Sequence, residues 1–245
     1  MSEVSVTMAA ERLGVNVSRV RSLLNSGRLA GRRVGSVWLV DSSDVERRRA
    51  ATKGVKGRPL SARVTWTSAA LFDGLGTDWL SSAERSRLSA RWQTSGGAAQ
   101  VCRWWMQSRA TATRYRIAPD DIAELLKFEG VVAGGISAAS HYGTGLGHSA
   151  EAEIYASTAT AKRLVDEFFL LADPQGNLTV HEVTADTHWH CRTARIVEGV
   201  QVAPRLIVAA DLLDSDDTRS RSAGAALLTD VLSSHRERQG QLVAS

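Results

Sequence analysis

The chain has 245 residues, a net charge of +4 and a hydrophobic content of 43%. This length fits one large domain or two smaller ones, and this content supports a packed core and excludes global disorder. Two cysteines, Cys102 and Cys191, are too few for a disulfide framework. The amino-terminal end lacks a signal-peptide pattern, and the longest charge-free stretch is too polar to span a bilayer. We therefore expect a cytoplasmic protein.

Basic charge is concentrated at the amino-terminal end. Residues 1–63 contain thirteen Lys or Arg and five Asp or Glu, whereas the remaining residues contain seventeen and twenty-one. A basic segment attached to a mildly acidic remainder indicates a polyanionic partner for that end, although an ordinary solvated surface would explain it as well.

Residues 6–29 predict a helix, a tight turn and a second helix. Thr7 stands just before the first helix, and Gly14 is placed to end it in a left-handed conformation. Asn16 is placed to cap the second helix and Gly27 to end it. Apolar residues recur at three- and four-residue spacing in the second helix, which predicts a buried face: Val17, Val20, Leu23 and Leu24.

A short basic hairpin follows, with its turn at Gly35-Ser36. Val34, Trp38 and Val40 alternate as in a strand with one buried face, and we expect Trp38 to belong to the core. Asp44 is predicted to cap a third helix over residues 45–49.

A helix that can enter a groove, with a basic arm beside it, is a DNA-binding layout. The outer side of the second helix and the arm supply polar and cationic groups suited to base edges and phosphates. The predicted DNA-binding residues are Asn16, Ser18, Arg19, Arg21, Ser22, Arg28, Arg32, Arg33 and Ser36.

The amino-terminal quarter resembles the winged helix-turn-helix of the MerR and excisionase type. The resemblance rests on Ala9-Ala10, Leu13-Gly14-Val15-Asn16, Val20-Arg21, Gly27-Arg28-Leu29, Arg33-Val34-Gly35 and Trp38-Leu39-Val40. It implies that the second helix, with Ser18, Arg19 and Arg21, contacts the major groove, and that Arg32 and Arg33 on the wing contact the backbone or minor groove. Asn16 stands where the family usually has Ser, an equivalent cap.

Residues 51–60 are small, basic and glycine-rich. They predict a linker between a winged helix-turn-helix domain at 1–50 and a larger domain at 61–245. This linker either follows the DNA backbone or only connects the two domains. The larger domain alternates predicted helices (61–72, 83–92, 98–108, 119–127, from 158, 204–213, from 217) with predicted strands (111–117, 152–156, 168–172, 177–183). The fold class is therefore mixed α/β (α+β): a winged helix-turn-helix followed by a larger mixed α/β domain.

Three segments of the larger domain resemble the antitoxin domain of AbiEi-type proteins. They are Gly57-Arg58-Pro59-Leu60-Ser61 with a helix containing Trp66; Arg114-Tyr115-Arg116 with the later run Gly134-Gly135-Ile136-Ser137-Ala138-Ala139-Ser140-His141-Tyr142-Gly143; and the run from Ala203 to Arg219 with Ala223-Gly224. The resemblance implies a type IV antitoxin that represses its own toxin–antitoxin operon. The toxin so implied is nucleotidyltransferase-like, and the antitoxin acts on it directly or functionally. Many relatives carry a different winged helix at the amino-terminal end, so their DNA geometry is not transferred.

No catalytic constellation is evident, and we predict no enzyme, no cofactor and no metal site. The glycine-rich run 143–147 lacks the spacing of a nucleotide-binding loop. His181, His188, His190 and Cys191 suggest metal ligands, but a polar strand with Trp189 turned inward explains them as well. Asp211, Asp214, Asp216 and Asp217 suggest a carboxylate site, but capping of the last helix explains Asp216 or Asp217.

Trp104-Trp105 is expected to be mainly core. Arg109, Arg114 and Arg116 are expected to form a surface patch for DNA or the toxin.

Three functions compete. A DNA-binding antitoxin and repressor explains both ends of the chain. An excisionase-like architectural DNA-binding protein or a stand-alone transcriptional regulator would explain the amino-terminal end alone. An enzyme with a DNA-targeting domain lacks its catalytic residues.

Overall fold

Contacts within the chain divide the computed structural model into two units. It describes residues 3–25, 29–52, 61–75, 79–94, 102, 105, 111–147, 150–183 and 189–244. The first unit contains residues 1–57 and 111–113, and the second contains residues 58–110 and 114–245.

The described residues of the first unit form a small three-stranded sheet with three helices. Strand β1 (Glu3–Ser5) leads into helices α1 (Val6–Leu13) and α2 (Val17–Asn25). Strands β2 (Gly31–Val34) and β3 (Val37–Asp41) form a hairpin, and α3 (Ser42–Thr52) follows. Strand β3 lies between β1 and β2 and pairs antiparallel with both. The apolar faces of these elements close one core: Val4, Ala9, Ala10, Val20, Leu23, Leu24, Leu29, Val40 and Val45.

In the part of the second unit that the structure describes, the strands form one seven-stranded mixed sheet. Its strands are β4 (Thr111–Arg116), β5 (Val132–Ala133), β6 (Ala152–Ser157), β7 (Leu171–Ala172), β8 (Leu178–Val183), β9 (Arg195–Val197) and β10 (Val200–Val202). The spatial order is β7-β4-β8-β6-β5-β10-β9, so β7 and β9 are the two edges. Pairs β6–β8 and β5–β10 are parallel, whereas β4–β7, β5–β6 and β9–β10 are antiparallel.

Helices cover both faces of this sheet. The described helices of this unit are α4 (Ala62–Phe72), α5 (Ser82–Thr94), α6 (Ile122–Leu125), α7 (Gly135–Ala139), α8 (Thr158–Glu167), α9 (Trp189–Thr193), α10 (Arg205–Asp214) and α11 (Thr218–Ala244). Short 3-10 turns precede α6 at Pro119–Asp121 and follow α7 at Ser140–Tyr142. On one face, α6 and α8 pack on Ile154, Ala156, Leu178 and Val180.

The opposite face carries a buried polar network centred on Asp211 of α10, which is 2% exposed. Its Oδ1 accepts hydrogen bonds from Tyr155 Oη at 2.6 Å and Trp105 Nε1 at 3.4 Å, and its Oδ2 accepts from the Gly135 N–H at 3.2 Å. Gly135 has φ +38°, which favours glycine, and a Cβ there would lie 1.8 Å from Glu153 Oε2, so the carboxylate of β6 would have to move. Two of the segments that carry the AbiEi resemblance, at 134–143 and 203–219, therefore meet at one carboxylate.

Most predicted elements of the described residues are found. Besides the start of α3, four of them need correction. Helix α1 begins at Val6 and is capped by Ser5, whose side chain accepts from the Met8 N–H, so Thr7 lies inside the helix. The predicted helix 119–127 is a 3-10 turn followed by the short α6. The predicted strand 168–172 is only Leu171–Ala172, because Phe168 and Phe169 end α8.

The fourth correction concerns the segment around Trp189, predicted as a polar strand. Residues 189–193 form helix α9 instead, in which His190 and Thr193 are buried three residues apart, as a helical face requires. Of the predicted helix 98–108 only Cys102 and Trp105 are described, and both are helical. Trp105 is 1% exposed and so belongs to the core as expected, whereas Trp104 lies outside the described residues.

None of the helices in the described ranges combines the length and the apolarity that a membrane span needs.

Candidate nucleic-acid interface

Two capping residues mark the turn between α1 and α2. Gly14 ends α1 with φ +65°, and its N–H bonds to the carbonyls of Ala10 and Glu11. Side chains other than Gly, Asn or Asp disfavour this left-handed conformation, so the glycine allows the chain to turn at once. Asn16 then caps α2, because its Oδ1 accepts from the Arg19 N–H at 2.7 Å. Both sequence predictions are confirmed, and Asn16 holds the start of α2 in position.

Helix α2 presents a polar outer strip. Val20, Leu23 and Leu24 are buried, whereas Ser18, Arg19, Arg21, Ser22 and Asn25 are exposed. At 100° per residue, Ser18, Ser22 and Asn25 lie along the middle of the outer face, with Arg19 on one side and Arg21 on the other. The helix therefore offers short polar groups flanked by two guanidinium groups, a profile that fits base edges between two phosphate backbones. Asn25 was not among the predicted residues. Its helical spacing from Ser18 and Ser22 is the sequence signal that places it on the same face.

The wing is the β2–β3 hairpin, which turns at Gly35-Ser36. Arg33 lies opposite Trp38, and Trp38 is half-buried against the core of the unit. Arg33 is exposed, and Ser36 is exposed at the turn. Arg33 and Ser36 are therefore accessible to a groove or a phosphate.

Arg32 differs from Arg33, because it is already paired. Its Nε lies 2.7 Å from Glu3 Oε1 and its Nη2 lies 3.0 Å from Glu3 Oε2, a bidentate pair across β3. The hydrogen bond from Arg32 lowers the pKa of Glu3, so the carboxylate is charged at neutral pH. Arg32 must exchange this partner, or share it, to contact a phosphate. Among the described residues, no such ion pair engages Arg19, Arg21 or Arg33.

The segment between α2 and the wing is tied to α3. Arg28 lies outside the described residues, but Leu29 is 2% exposed and anchors the segment in the core. The Ala30 N–H donates to Asp44 Oδ2 at 2.6 Å. The predicted capping role of Asp44 is therefore wrong: Asp41 caps α3, since its Oδ1 accepts from the N–H of Ser43 at 2.7 Å and of Asp44 at 3.3 Å. The helix begins at Ser42, three residues before the predicted start at Val45.

The second predicted surface lies on β4. Arg114 and Arg116 are exposed on one face of the strand, because they alternate with Tyr115 and Ile117, which pack in the core beside α6 and α8. Arg116 is bound to Asp173, with Nε at 2.9 Å and Nη2 at 2.7 Å from Oδ2. Arg109 lies outside the described residues. Arg114 is the more available cation of the two described.

The suspected metal ligands do not converge in the described part of the chain. His181 Nε2 lies 2.6 Å from Glu153 Oε1, while Cys191 and His190 belong to α9, and His188 lies outside the described residues. No group of three or more His, Cys, Asp or Glu side chains could hold a metal among the residues described. Asp217 caps α11 as expected, because its Oδ2 accepts from the Ser220 N–H at 2.7 Å.

Comparison with known protein families gives two matches. Residues 4–52 match a helix-turn-helix domain, the span that holds α1, α2, the wing and α3. Residues 85–233 match the model described as transcriptional regulator, AbiEi antitoxin, type IV toxin–antitoxin system. No curated protein and no solved structure matches the chain significantly. The second match covers more than half of the sequence, and the chain therefore belongs to the AbiEi antitoxin family of transcriptional regulators from type IV toxin–antitoxin systems.

Proposed function

We propose that this protein binds inverted repeats of double-stranded DNA in the promoter of its own toxin–antitoxin operon and represses that operon. We further propose that it counteracts a nucleotidyltransferase-like toxin encoded beside it. It needs neither a cofactor nor a catalytic site for these roles, and we place it in the cytoplasm, where its operator lies.

The main observation in support of this proposal is the outer face of α2. It is exposed, contains no acidic residue between positions 17 and 25, and holds two guanidinium groups without an ion-pair partner among the described residues. Arg19 and Arg21 would contact base edges or the adjacent phosphates, with Ser18 and Ser22 between them. Arg33 and Ser36 on the wing, Arg28 before it, and Arg32 after release from Glu3 would contact the backbone or minor groove. Asn16 would hold the start of the helix at the DNA.

The architectural alternative explains only part of the chain. An excisionase-type factor requires little more than residues 4–52, whereas the antitoxin match extends over residues 85–233. A second function in the larger unit is therefore the better supported proposal.

Operator binding is tested with the full chain carrying Arg19→Ala and Arg21→Ala. Each lost base contact should cost about 1–3 kcal/mol of binding free energy, because an unmatched base edge remains. Fluorescence anisotropy with a duplex from the upstream region measures this cost, and circular dichroism verifies the fold. Arg195→Ala, exposed in the second unit, is the matched control. Unchanged affinity of the double variant would overturn the assignment of α2 as the DNA-contacting helix.

The antitoxin role is tested with the same double variant, co-expressed with the neighbouring toxin from an unrelated promoter. If this variant no longer binds the operator but still restores growth, the α2 face is not needed to neutralise the toxin. Loss of protection together with loss of operator binding would mean that neutralisation depends on DNA binding.

A further inference from the structure

The end of α8 has an unusual residue at its turn. Leu170 N–H bonds to the Val165 carbonyl at 3.1 Å, the long hydrogen bond of a Schellman motif. Phe169 occupies the left-handed position of this motif, with φ +50°. Glycine is the usual residue there, because a Cβ is strained in this conformation. An aromatic residue is therefore held where the backbone disfavours it.

Packing within the chain does not explain this choice. The preceding Phe168 packs against the core and meets Phe128 edge to face, with ring centroids 5.9 Å apart. Phe169 instead is 85% exposed, and Leu171 two residues later is 69% exposed. Strain at an exposed apolar residue, with no compensating burial in its own unit, indicates a contact made with another molecule.

Phe169 and Leu171 lie at the edge of the seven-stranded sheet, between two groups of opposite charge. Strand β7 is the edge strand, and Leu171 pairs with Arg116, so its side chain shares a face with Arg114 and Arg116. The last turn of α8 carries the exposed acidic residues Asp166 and Glu167, and α8 packs on the other face of the sheet. We call the surface formed by Phe169, Leu171, Arg114, Arg116, Asp166 and Glu167 the Phe169 surface.

We propose that the Phe169 surface binds a second copy of this chain about a twofold axis. Such an axis near Phe169 packs the two apolar pairs together and brings the basic side of each copy to the acidic side of the other. Three carboxylates lie within or beside the surface, since Asp173 is bound to Arg116, and they disfavour phosphate as the occupant. The inference concerns self-association and does not depend on the DNA-binding proposal.

The contact is small, because two apolar side chains per copy form its centre. Stable dimers bury about 1,200–2,000 Å² in total, more than such a centre supplies. We therefore expect weak, reversible association that shows at high protein concentration or when two copies are held close together.

Sedimentation equilibrium of the full chain, from about 10 µM to about 1 mM, tests the proposal. The average mass of the wild type should rise towards that of a dimer. Phe169→Gly should weaken association at least about tenfold, because the central aromatic ring is lost. Its thermal unfolding midpoint should be at or above that of the wild type, because glycine relieves the backbone strain. Ile196→Ser is the matched control: Ile196 is 76% exposed on the opposite edge strand, β9, and its replacement should leave association unchanged.

A wild type that stays monomeric over this range overturns the proposal. Equal weakening by Ile196→Ser overturns the assignment of the interface to the β7 edge. Arg114→Glu should weaken association as well, and association unaffected by this change contradicts the charge pairing. If Phe169→Gly instead lowers affinity for a DNA duplex too short for two copies, the surface contacts nucleic acid and the second-copy proposal is wrong.

Discussion

Single carboxylates with short hydrogen bonds organise both units. In the first unit, Asp41 ends β3 and begins α3 with one side chain, and the neighbouring Asp44 bonds to the segment that follows α2. In the second unit, Asp211 joins α10 to the start of α7 and to β6. Sequence patterns do not reveal the roles of Asp44 and Asp211, because Ala30 lies 14 positions from Asp44 and Tyr155 lies 56 positions from Asp211.

Asp41→Ala should destabilise the first unit by about 1 kcal/mol, since the first turn of α3 loses its cap. Hydrogen bonds, chiefly from Ser43, lower the pKa of Asp41 below its ordinary 3.8. The cap therefore stabilises the fold above pH 3.8, and this contribution is lost as the pH falls through the lower folded-state value. Hydrogen exchange of residues 1–57 measures the difference between wild type and variant, which should be constant from about pH 7 to about pH 5 and shrink below the ordinary pKa.

The exposed Glu46→Ala is the control for Asp41→Ala. It removes only surface ion pairs, to Arg12 and Arg49, and should cost less than about 1 kcal/mol. A loss equal to that of Asp41→Ala would contradict the capping role.

At the scale of elements, the wing and α2 differ in whether their cations already have a carboxylate partner. The cations of α2 stand exposed without a carboxylate partner among the described residues, whereas Arg32 of β2 is held by Glu3 of β1. Strand β1 thus does more than extend the sheet, because it places an anion beside the wing. This arrangement should reduce attraction to DNA of any sequence and leave α2 to discriminate between sequences.

Glu3→Gln should therefore strengthen binding to non-specific duplex, by about two- to fivefold at low salt, because Arg32 becomes available to a phosphate. The slope of log K against log salt concentration should steepen by about 0.9, the value of one added phosphate contact. Anisotropy titrations over a series of salt concentrations measure both quantities. Glu11→Gln, exposed on α1 outside the sheet, is the control. Weaker binding by Glu3→Gln would mean that Glu3 positions Arg32 for DNA.

At the scale of the whole molecule, the two units differ in how they are held together. The first joins elements that are apart in the chain, since β1 pairs with β3 and α1 packs on α3, and its core contains mainly small aliphatic side chains. The second depends on a buried polar network and on aromatic packing around it: Trp66 meets Tyr155 and Trp105 edge to face at 5.0 and 5.1 Å. A buried network of this kind is costly to interrupt, because each partner that remains is left unsatisfied.

Asp211→Ala should destabilise the second unit by about 3 kcal/mol or more, because three buried donors lose their acceptor. Urea denaturation followed by circular dichroism measures the loss. Asp216→Ala, at an exposed position just beyond the same helix, should change stability by less than about 0.5 kcal/mol. Equal effects of the two substitutions would show that the network contributes little.

The sequence by itself determined the features that depend on neighbouring residues. Gly14 and Asn16 mark the turn between two helices, and the spacing of Val20 and Leu24 separates the buried face of α2 from the polar one. These signals are local, since a helix end and a helical period need only a few consecutive residues. The helix-turn-helix could therefore be predicted from the order of residues alone, and its candidate DNA contacts stay predictions.

Only the tertiary structure decided which charges are available and which residues meet. Glu3 and Arg32 are 29 positions apart, Gly135 and Asp211 are 76 apart, and no local period links such pairs. The segment around Trp189 could form a strand or a helix on its pattern alone, and burial of His190 and Thr193 on one side decided for the helix. The exposure of Phe169 could not be predicted either, because phenylalanine is usually buried, and only the three-dimensional packing shows that this side chain is 85% exposed.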